Sequence, residues 1–247
     1  LGLVYVGPVD GHNIEKMSRV LEEAKNKHRC CVVHVITKKG YGYSPAEDKP
    51  HLYHGVGHFD VAYGIDPDDT GVSLSSVAGE VLCDIAERDD KVCAITAAMC
   101  DGTGLYDFSK KFPKRFFDVG IAEECAVTFT GGLAIGGKTP VCAIYSTFLQ
   151  RSYDQILHDV ALQSLPVLFA IDRAGLNAAD GLTHHGIYDV AFLSDIPAME
   201  IWHPLTTESL RSRLTSLLTD GLSVPTAIRY HSGGDSEEIM ALAARMT

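Results

Sequence analysis

The sequence predicts an α/β protein: a parallel sheet with helices on both faces, preceded by a β-α-β piece of a second α/β domain. Three observations predict it. Short apolar runs recur along the chain with helical segments between most of them. Several runs are continuously apolar, the pattern of strands buried on both faces of a parallel sheet. An aperiodic stretch from Thr37 to about Val72 separates one strand–helix–strand unit from all that follows, and so long a loop is usually functional or a linker.

In chain order, Val4–Val6 reads as a strand, and Asn13 reads as the N-cap of a helix with Ile14, Met17, Val20, Leu21 and Ala24 on one face. Cys31–Ile36 reads as a buried strand. The loop after it carries Tyr41, Tyr43, Tyr53, Tyr63, His51, His54 and His58 among glycines and prolines. A helix through Val77, Val81, Leu82 and Ile85 restores regularity. Strands follow near Val92–Thr96, Phe116–Val119, Val141–Tyr145, Val167–Asp172, Met199–Trp202 and Thr226–Tyr230. Helices are predicted at about 103–112, 123–136, 147–160 and 207–219. There is no internal repeat.

Composition bounds the function. The 247 residues are 46% hydrophobic and carry a formal charge of −11, which argues against nucleic acid or an anionic membrane as partner. No apolar run approaches the ~18 residues of a membrane span, and no signal peptide opens the chain, so a cytoplasmic protein is expected. The seven cysteines contain no C-x-x-C pair and read as buried free thiols of a reducing compartment. The chain starts with Leu1 and runs directly into a strand, which reads as a piece of something longer.

Ligands of parallel sheets sit at the carboxyl ends of the strands. After Phe117-Asp118-Val119-Gly120 comes Glu123, at the mouth of a helix rich in small residues. Flanked by apolar side chains, it is expected to be partly desolvated with a raised pKa, suited to proton transfer. The plainer alternative is an acid favoured by the helix dipole. After Ile144 come Tyr145, Phe148 and Arg151; after Ile171 come Asp172, Arg173, Asp180, His184 and His185. Two arginines, an aspartate and a histidine pair on one rim suit a small anionic substrate. Singly, each has an ordinary reading: a solvated helix residue for Arg151, a salt bridge to Asp172 for Arg173, a turn for Asp180-Gly181, a structural role for His185.

The stretches FDVGIAEE, AIYSTFLQRSYDQILHDVALQSLPVLFAIDRAG and ADGLTHHG resemble the pyrimidine-binding domain of the 1-deoxy-D-xylulose-5-phosphate synthases, thiamine-diphosphate enzymes of the transketolase superfamily. Upstream, YVGPVDGHN and TKKGYGYSPAE resemble the end of that family's diphosphate-binding domain. The resemblance runs from about Leu3 to Tyr230. It implies four segments: the end of the first domain with an active-site loop over 1–60, a linker over 61–72, the pyrimidine-binding domain over 73–235 and a tail over 236–247.

The resemblance also implies roles. Glu123 would hydrogen-bond the aminopyrimidine N1′ of thiamine diphosphate and so promote loss of the thiazolium C2 proton. Phe148 would stack on the pyrimidine, and Tyr43 would be a further cofactor contact. His54 and His184 would handle protons, and Tyr145, Arg151, Arg173 and Asp180 would hold glyceraldehyde 3-phosphate, with Arg151 on the phosphate. His12 falls in a related superfamily motif, although a turn-and-cap role for Asp10-Gly11-His12-Asn13 fits as well. The implied activity is decarboxylation of pyruvate and condensation with glyceraldehyde 3-phosphate, in a homodimer that feeds isoprenoid and thiamine synthesis. Mg²⁺ ligands are expected outside this chain, in a GDG motif it lacks. Cys125 stands where the family has histidine, Cys100 where arginine is usual, and Ser232 where a second phosphate-binding arginine is usual. One subunit of a split transketolase-like enzyme and an inactive cofactor-binding module are the competing readings.

Overall fold

The computed structural model describes residues 2–54, 56–65, 71–177 and 180–246. The chain divides into two compact units, residues 1–70 and 71–247.

In the first unit, β1 (Val4–Asp10) and β2 (Cys31–Ile36) pair in parallel and are joined by α1 (Ile14–Asn26). Asn13 caps α1, its side chain accepting from Lys16 N at 3.0 Å. The predicted burial is not found. Ile14 is 73% exposed and Leu21 53%, and Val32, Val35 and Ile36 of β2 are exposed too. The physical reason is arithmetic: two strands and one helix form only part of a layer, so an apolar stripe predicted from periodicity is left uncovered within the described residues of this unit. A short helix, α2 (Ser44–Asp48), lies in the long loop. Residues 61–65 pack back on this unit. Tyr43 donates to Val61 O at 2.9 Å, Ile65 N donates to the Tyr53 hydroxyl at 3.1 Å, and Asp60 bridges Gly64. The rest of the predicted linker, apart from Gly71 and Val72, lies outside the described residues.

The second unit contains α3 (Leu74–Ala86), β3 (Val92–Thr96), α4 (Tyr106–Lys111), β4 (Phe116–Asp118), α5 (Glu123–Ile135) and β5 (Thr139–Tyr145). A composite helical stretch follows: α6 (Ser146–Leu149), a 3₁₀ turn at Gln150–Ser152, α7 (Tyr153–Gln155) and a π-helical run at Ile156–Ala161. Then come β6 (Leu168–Asp172), α8 (Asp189–Ser194), β7 (Glu200–Trp202), α9 (Thr207–Thr219), β8 (Thr226–Arg229) and α10 (Glu237–Met246). The six strands form one all-parallel sheet in the order β4-β3-β5-β6-β8-β7.

Alternation along the central strands divides the core in two. Val92, Ala94, Val141, Ala143, Leu168 and Ala170 pack with α3, α4 and α9 on one face. Cys93, Ile95, Cys142, Ile144, Phe169 and Ile171 pack with α5 and the π-helical run on the other. This is why the strands read as unbroken apolar runs. Reciprocal capping boxes, Ser73 with Ser76 and Thr206 with Ser209, start α3 and α9, which pack side by side.

Several predicted boundaries move. The helix near 103 starts at Tyr106, because Asp101–Gly104 forms turns with Gly104 at φ +73°. The helix over 147–160 is broken into tighter and wider turns. The tail is helical, and α8 appears where no element was predicted. Of the cysteines, Cys83, Cys93 and Cys142 are buried as expected, but Cys30 and Cys125 are exposed.

Candidate active site

β3 leads out of the sheet toward β4 and β5 leads toward β6, so the connections diverge between neighbouring strands β3 and β5. In open parallel sheets, ligands bind beyond the carboxyl ends at such a point. Glu123 opens α5, on the N-terminal turn, and is 2% exposed. Its Oε1 accepts from Arg151 Nη1 at 2.8 Å. A buried carboxylate is costly unless paired, and Arg151, on the 3₁₀ turn after α6, supplies the pairing. The sequence suggested neither this contact nor its consequence: one donor of the expected phosphate ligand is spent on the expected proton carrier.

Arg151 also lies over the Phe148 ring, 5.1 Å from its centre. Phe148 stacks on Tyr145 at 6.0 Å and meets His184 edge-on at 5.3 Å. Tyr145 in turn carries the Arg173 guanidinium over its ring at 4.1 Å. Arg173 forms an ion pair with Asp180, not with the side chain of Asp172, and Asn177 Nδ2 donates to Asp180 Oδ2 at 2.7 Å. Thr147 donates to Thr183 O at 3.1 Å, and the Thr183 hydroxyl bonds His184 Nδ1 at 2.9 Å, which ties the His184 turn to α6. His185 Nδ1 accepts from Asn177 N at 3.0 Å, the structural role open to it. Glu123, Tyr145, Phe148, Arg151, Arg173, Asp180 and His184 thus form one chain of contacts.

Tyr43 and His54 belong to the first unit. Tyr43 sits among Tyr53 and Phe59 with its hydroxyl bonded to Val61 O, and His54 is exposed. The same unit holds a residue left off the expected site. His12 lines a cleft with Asp10, Lys38 and Tyr41 at the end of β1, stacked 3.8 Å from the Tyr41 ring and accepting from Lys38 N at 2.7 Å. The Asp10-Gly11-His12 motif was its signal in the sequence.

Asp172 was also missed as a titrating group. It ends β6 fully buried, and burial pushes its carboxyl up to about 7, against the Ser75 hydroxyl and the Arg173 amide beside it. Oδ1 accepts from Arg173 N at 2.7 Å, whereas Oδ2 has no partner in hydrogen-bond geometry among the described residues, the Ser75 hydroxyl being near enough only to favour the ionised form. Arg173 itself has φ +55°, a left-handed conformation uncommon outside glycine, and the Asp172 carboxylate holds its amide there. Burial likewise raises the Tyr145 phenol to about 12. Below the rim, Arg229 Nε donates to Asp189 Oδ2 at 2.8 Å, and Arg229 reaches Gly186 O at 3.4 Å and His203 Nδ1 at 3.0 Å. This fork joins β8 and α8 to the loop that carries His184. Among the described residues no group of three His, Cys, Asp or Glu could hold a metal ion.

The family model for the transketolase pyrimidine-binding domain matches residues 70–233, and that for 1-deoxy-D-xylulose-5-phosphate synthase matches residues 1–37. The 1-deoxy-D-xylulose-5-phosphate synthases of Clostridium tetani and Natranaerobius thermophilus are 50% and 51% identical over 233 and 235 residues, each match covering 94% of this chain. The chain spans 37% of the length of each. Among solved structures, an inactive beta4 tetramer of a split-gene transketolase matches with TM-score 0.59 and 27% identity, covering 67% of this chain and 54% of that one. A Pichia stipitis transketolase shares the fold with TM-score 0.59 at 15% identity, over 70% of this chain and 27% of that one. The chain belongs to the transketolase pyrimidine-binding domain family, in its 1-deoxy-D-xylulose-5-phosphate synthase branch.

Proposed function

We propose that this chain is the pyrimidine-binding part, with the end of the preceding domain, of an enzyme that decarboxylates pyruvate and condenses the two-carbon unit with glyceraldehyde 3-phosphate. The carrying observation is Glu123, a 2%-exposed carboxylate on the first turn of α5, linked through Arg151 to the Phe148 ring. That donor set fits the aminopyrimidine half of thiamine diphosphate: a dry acid for a ring nitrogen and an aromatic face for the ring. Bound there, the cofactor supplies the carbanion-stabilising thiazolium chemistry. Mg²⁺ and the diphosphate belong with residues outside this chain.

The chain's own residues divide the remaining work. Glu123 holds or releases a proton at its carboxylate, where Arg151 compensates the negative charge. Arg151 spends one N–H on Glu123 and keeps the others at an exposed position, as a phosphate ligand requires. Arg173, fixed by Asp180 and the Tyr145 ring, adds a second cation for the same anion. His184, held edge-on to Phe148, offers an imidazole for proton transfer to the sugar-derived hydroxyls. By the resemblance, Tyr43 has the role of a cofactor contact and His54 that of a second proton-handling group, and the working enzyme is a cytoplasmic homodimer.

The test is turnover by the protein extended to the full length of its relatives, with pyruvate, glyceraldehyde 3-phosphate, thiamine diphosphate and Mg²⁺. Glu123→Gln is expected to remove product formation and hydrogen–deuterium exchange at the cofactor C2 together. Exchange at the unmodified rate in that variant would refute the role of Glu123. Absence of product from the unmodified protein with cofactor bound would identify an inactive module instead.

A further inference from the structure

The carboxyl end of β7 and the start of α9 enclose a cleft of about 420 Å³, lined by Trp202, His203, Pro204 and one stripe of the helix. Ser209, Ser212, Arg213 and Ser216 fall at i, i+3, i+4 and i+7, so they share a face of α9, whereas Leu210, Leu214 and Leu218 are buried in the core. Arg213 lies over the Trp202 ring, its guanidinium carbon 3.7 Å from the ring centre. It has no ion-pair partner among the described residues, although acids outnumber bases 32 to 21 in this chain. The neighbouring Arg211 is paired, with Glu80. No carboxylate lines the cleft.

Of the other polar groups, Ser209 Oγ donates to Thr206 O at 2.9 Å and Ser216 Oγ to Arg213 O at 3.1 Å, which leaves His203 and Ser212 with a donor to spare. His203 Nδ1 receives an N–H from Arg229 at 3.0 Å; arginine can only donate, so the ring is neutral with its proton on Nε2. Burial and the Arg229 charge both push its pKa down, which keeps that tautomer. Ser209 is committed to the capping box, while Ser212 is exposed. An arginine pre-oriented on an aromatic face keeps its fork of N–H groups for a planar or tetrahedral oxyanion. The volume exceeds what a bare ion needs and lies in the range of small-molecule pockets.

We propose that this cleft binds a small phosphorylated metabolite, with its phosphate on Arg213 and its body along the serine stripe of α9. The proposal does not depend on the catalytic reading above.

Trp202 is the single tryptophan, so its fluorescence reports on this site in the chain as it stands. Glycerol 3-phosphate is the probe, with glycerol, inorganic phosphate and succinate as companions, and calorimetry provides a second readout because changing Arg213 alters the fluorophore's surroundings. Glycerol 3-phosphate is expected to give a saturable change, with inorganic phosphate weaker and glycerol and succinate silent. Arg213→Gln should weaken binding about tenfold or more, the usual effect of losing one charge-assisted contact. Ser212→Glu, at an exposed position that folding does not need, should weaken it comparably by repulsion. Arg211→Gln, at the neighbouring arginine already paired with Glu80, should leave it unchanged. A flat titration to millimolar probe, undiminished affinity in both cleft variants, equal loss through Arg211→Gln, or a stronger response to succinate would each overturn the proposal.

Discussion

Replacing Asp172 by asparagine isolates one buried charge. The carboxyl, ordinarily near 3.8, is pushed up to about 7 in the fold, chiefly because burial disfavours the ionised form. The folded protein therefore holds this proton more tightly than the unfolded chain does. Stability from that proton is fully present below the unfolded value, declines as pH rises between the two values, and is lost once pH passes the folded one. At ~1.4 kcal/mol for each pH unit, the interval corresponds to roughly 4 kcal/mol, of which about 3 fall between about pH 5 and about pH 8. Asparagine is neutral throughout and still accepts from the Arg173 amide, but its amino group enters a place where Oδ2 has no partner, at a cost of ~1–3 kcal/mol. Near pH 8 the variant should be more stable than the parent by about 1–3 kcal/mol; near pH 5 the order should reverse or vanish. Urea unfolding followed by Trp202 fluorescence reads this unit alone, and the parent-minus-variant difference cancels every other titrating group. A difference that stays constant from acid to alkaline pH would refute the reasoning, since Asp172 would then be titrating alike in both states.

Asp189→Ala should destabilise the second unit by about 3–5 kcal/mol, because it leaves Arg229 buried and unpaired; the double change to leucine at 189 and 229 should recover most of that loss in the same denaturant titration. Gly79→Ala should lower the melting temperature, since a methyl group there would stand 2.0 Å from Gly104 O, where α3 meets the turn before α4. Overpacking of this kind costs ~1–3 kcal/mol, and an unshifted melting curve would mean that the turn yields freely.

The sheet was legible because its strands are buried on both faces. Val92–Thr96 and Val167–Asp172 need no partner information to read as strands, and the rule that ligands gather at strand ends singles out Glu123, Tyr145, Arg151 and Arg173 from the sequence alone. What was not legible depends on contacts between distant residues. The Arg151–Glu123 bond spans 28 positions, and nothing local to either residue encodes it. Asp172 read as one more polar strand end, because its complete burial depends on packing that nothing local to the residue encodes. In α1, periodicity identified the apolar stripe correctly but carried no information on what, if anything, covers it. The break in the helix after β5 escaped for a related reason: its π-helical bonds, such as Leu162 N to Leu157 O at 2.9 Å, are a choice among nearly equivalent turns that composition does not decide.

Val9 is the one buried side chain of β1 and β2, so little apolar area opposes fraying of the pair. Amide protons of β1 and β2 should exchange with solvent long before those of β5 or β6, and the two units will report different opening free energies in one exchange experiment. A single melting curve for the whole chain would blend these two events, and any figure taken from it would describe neither unit.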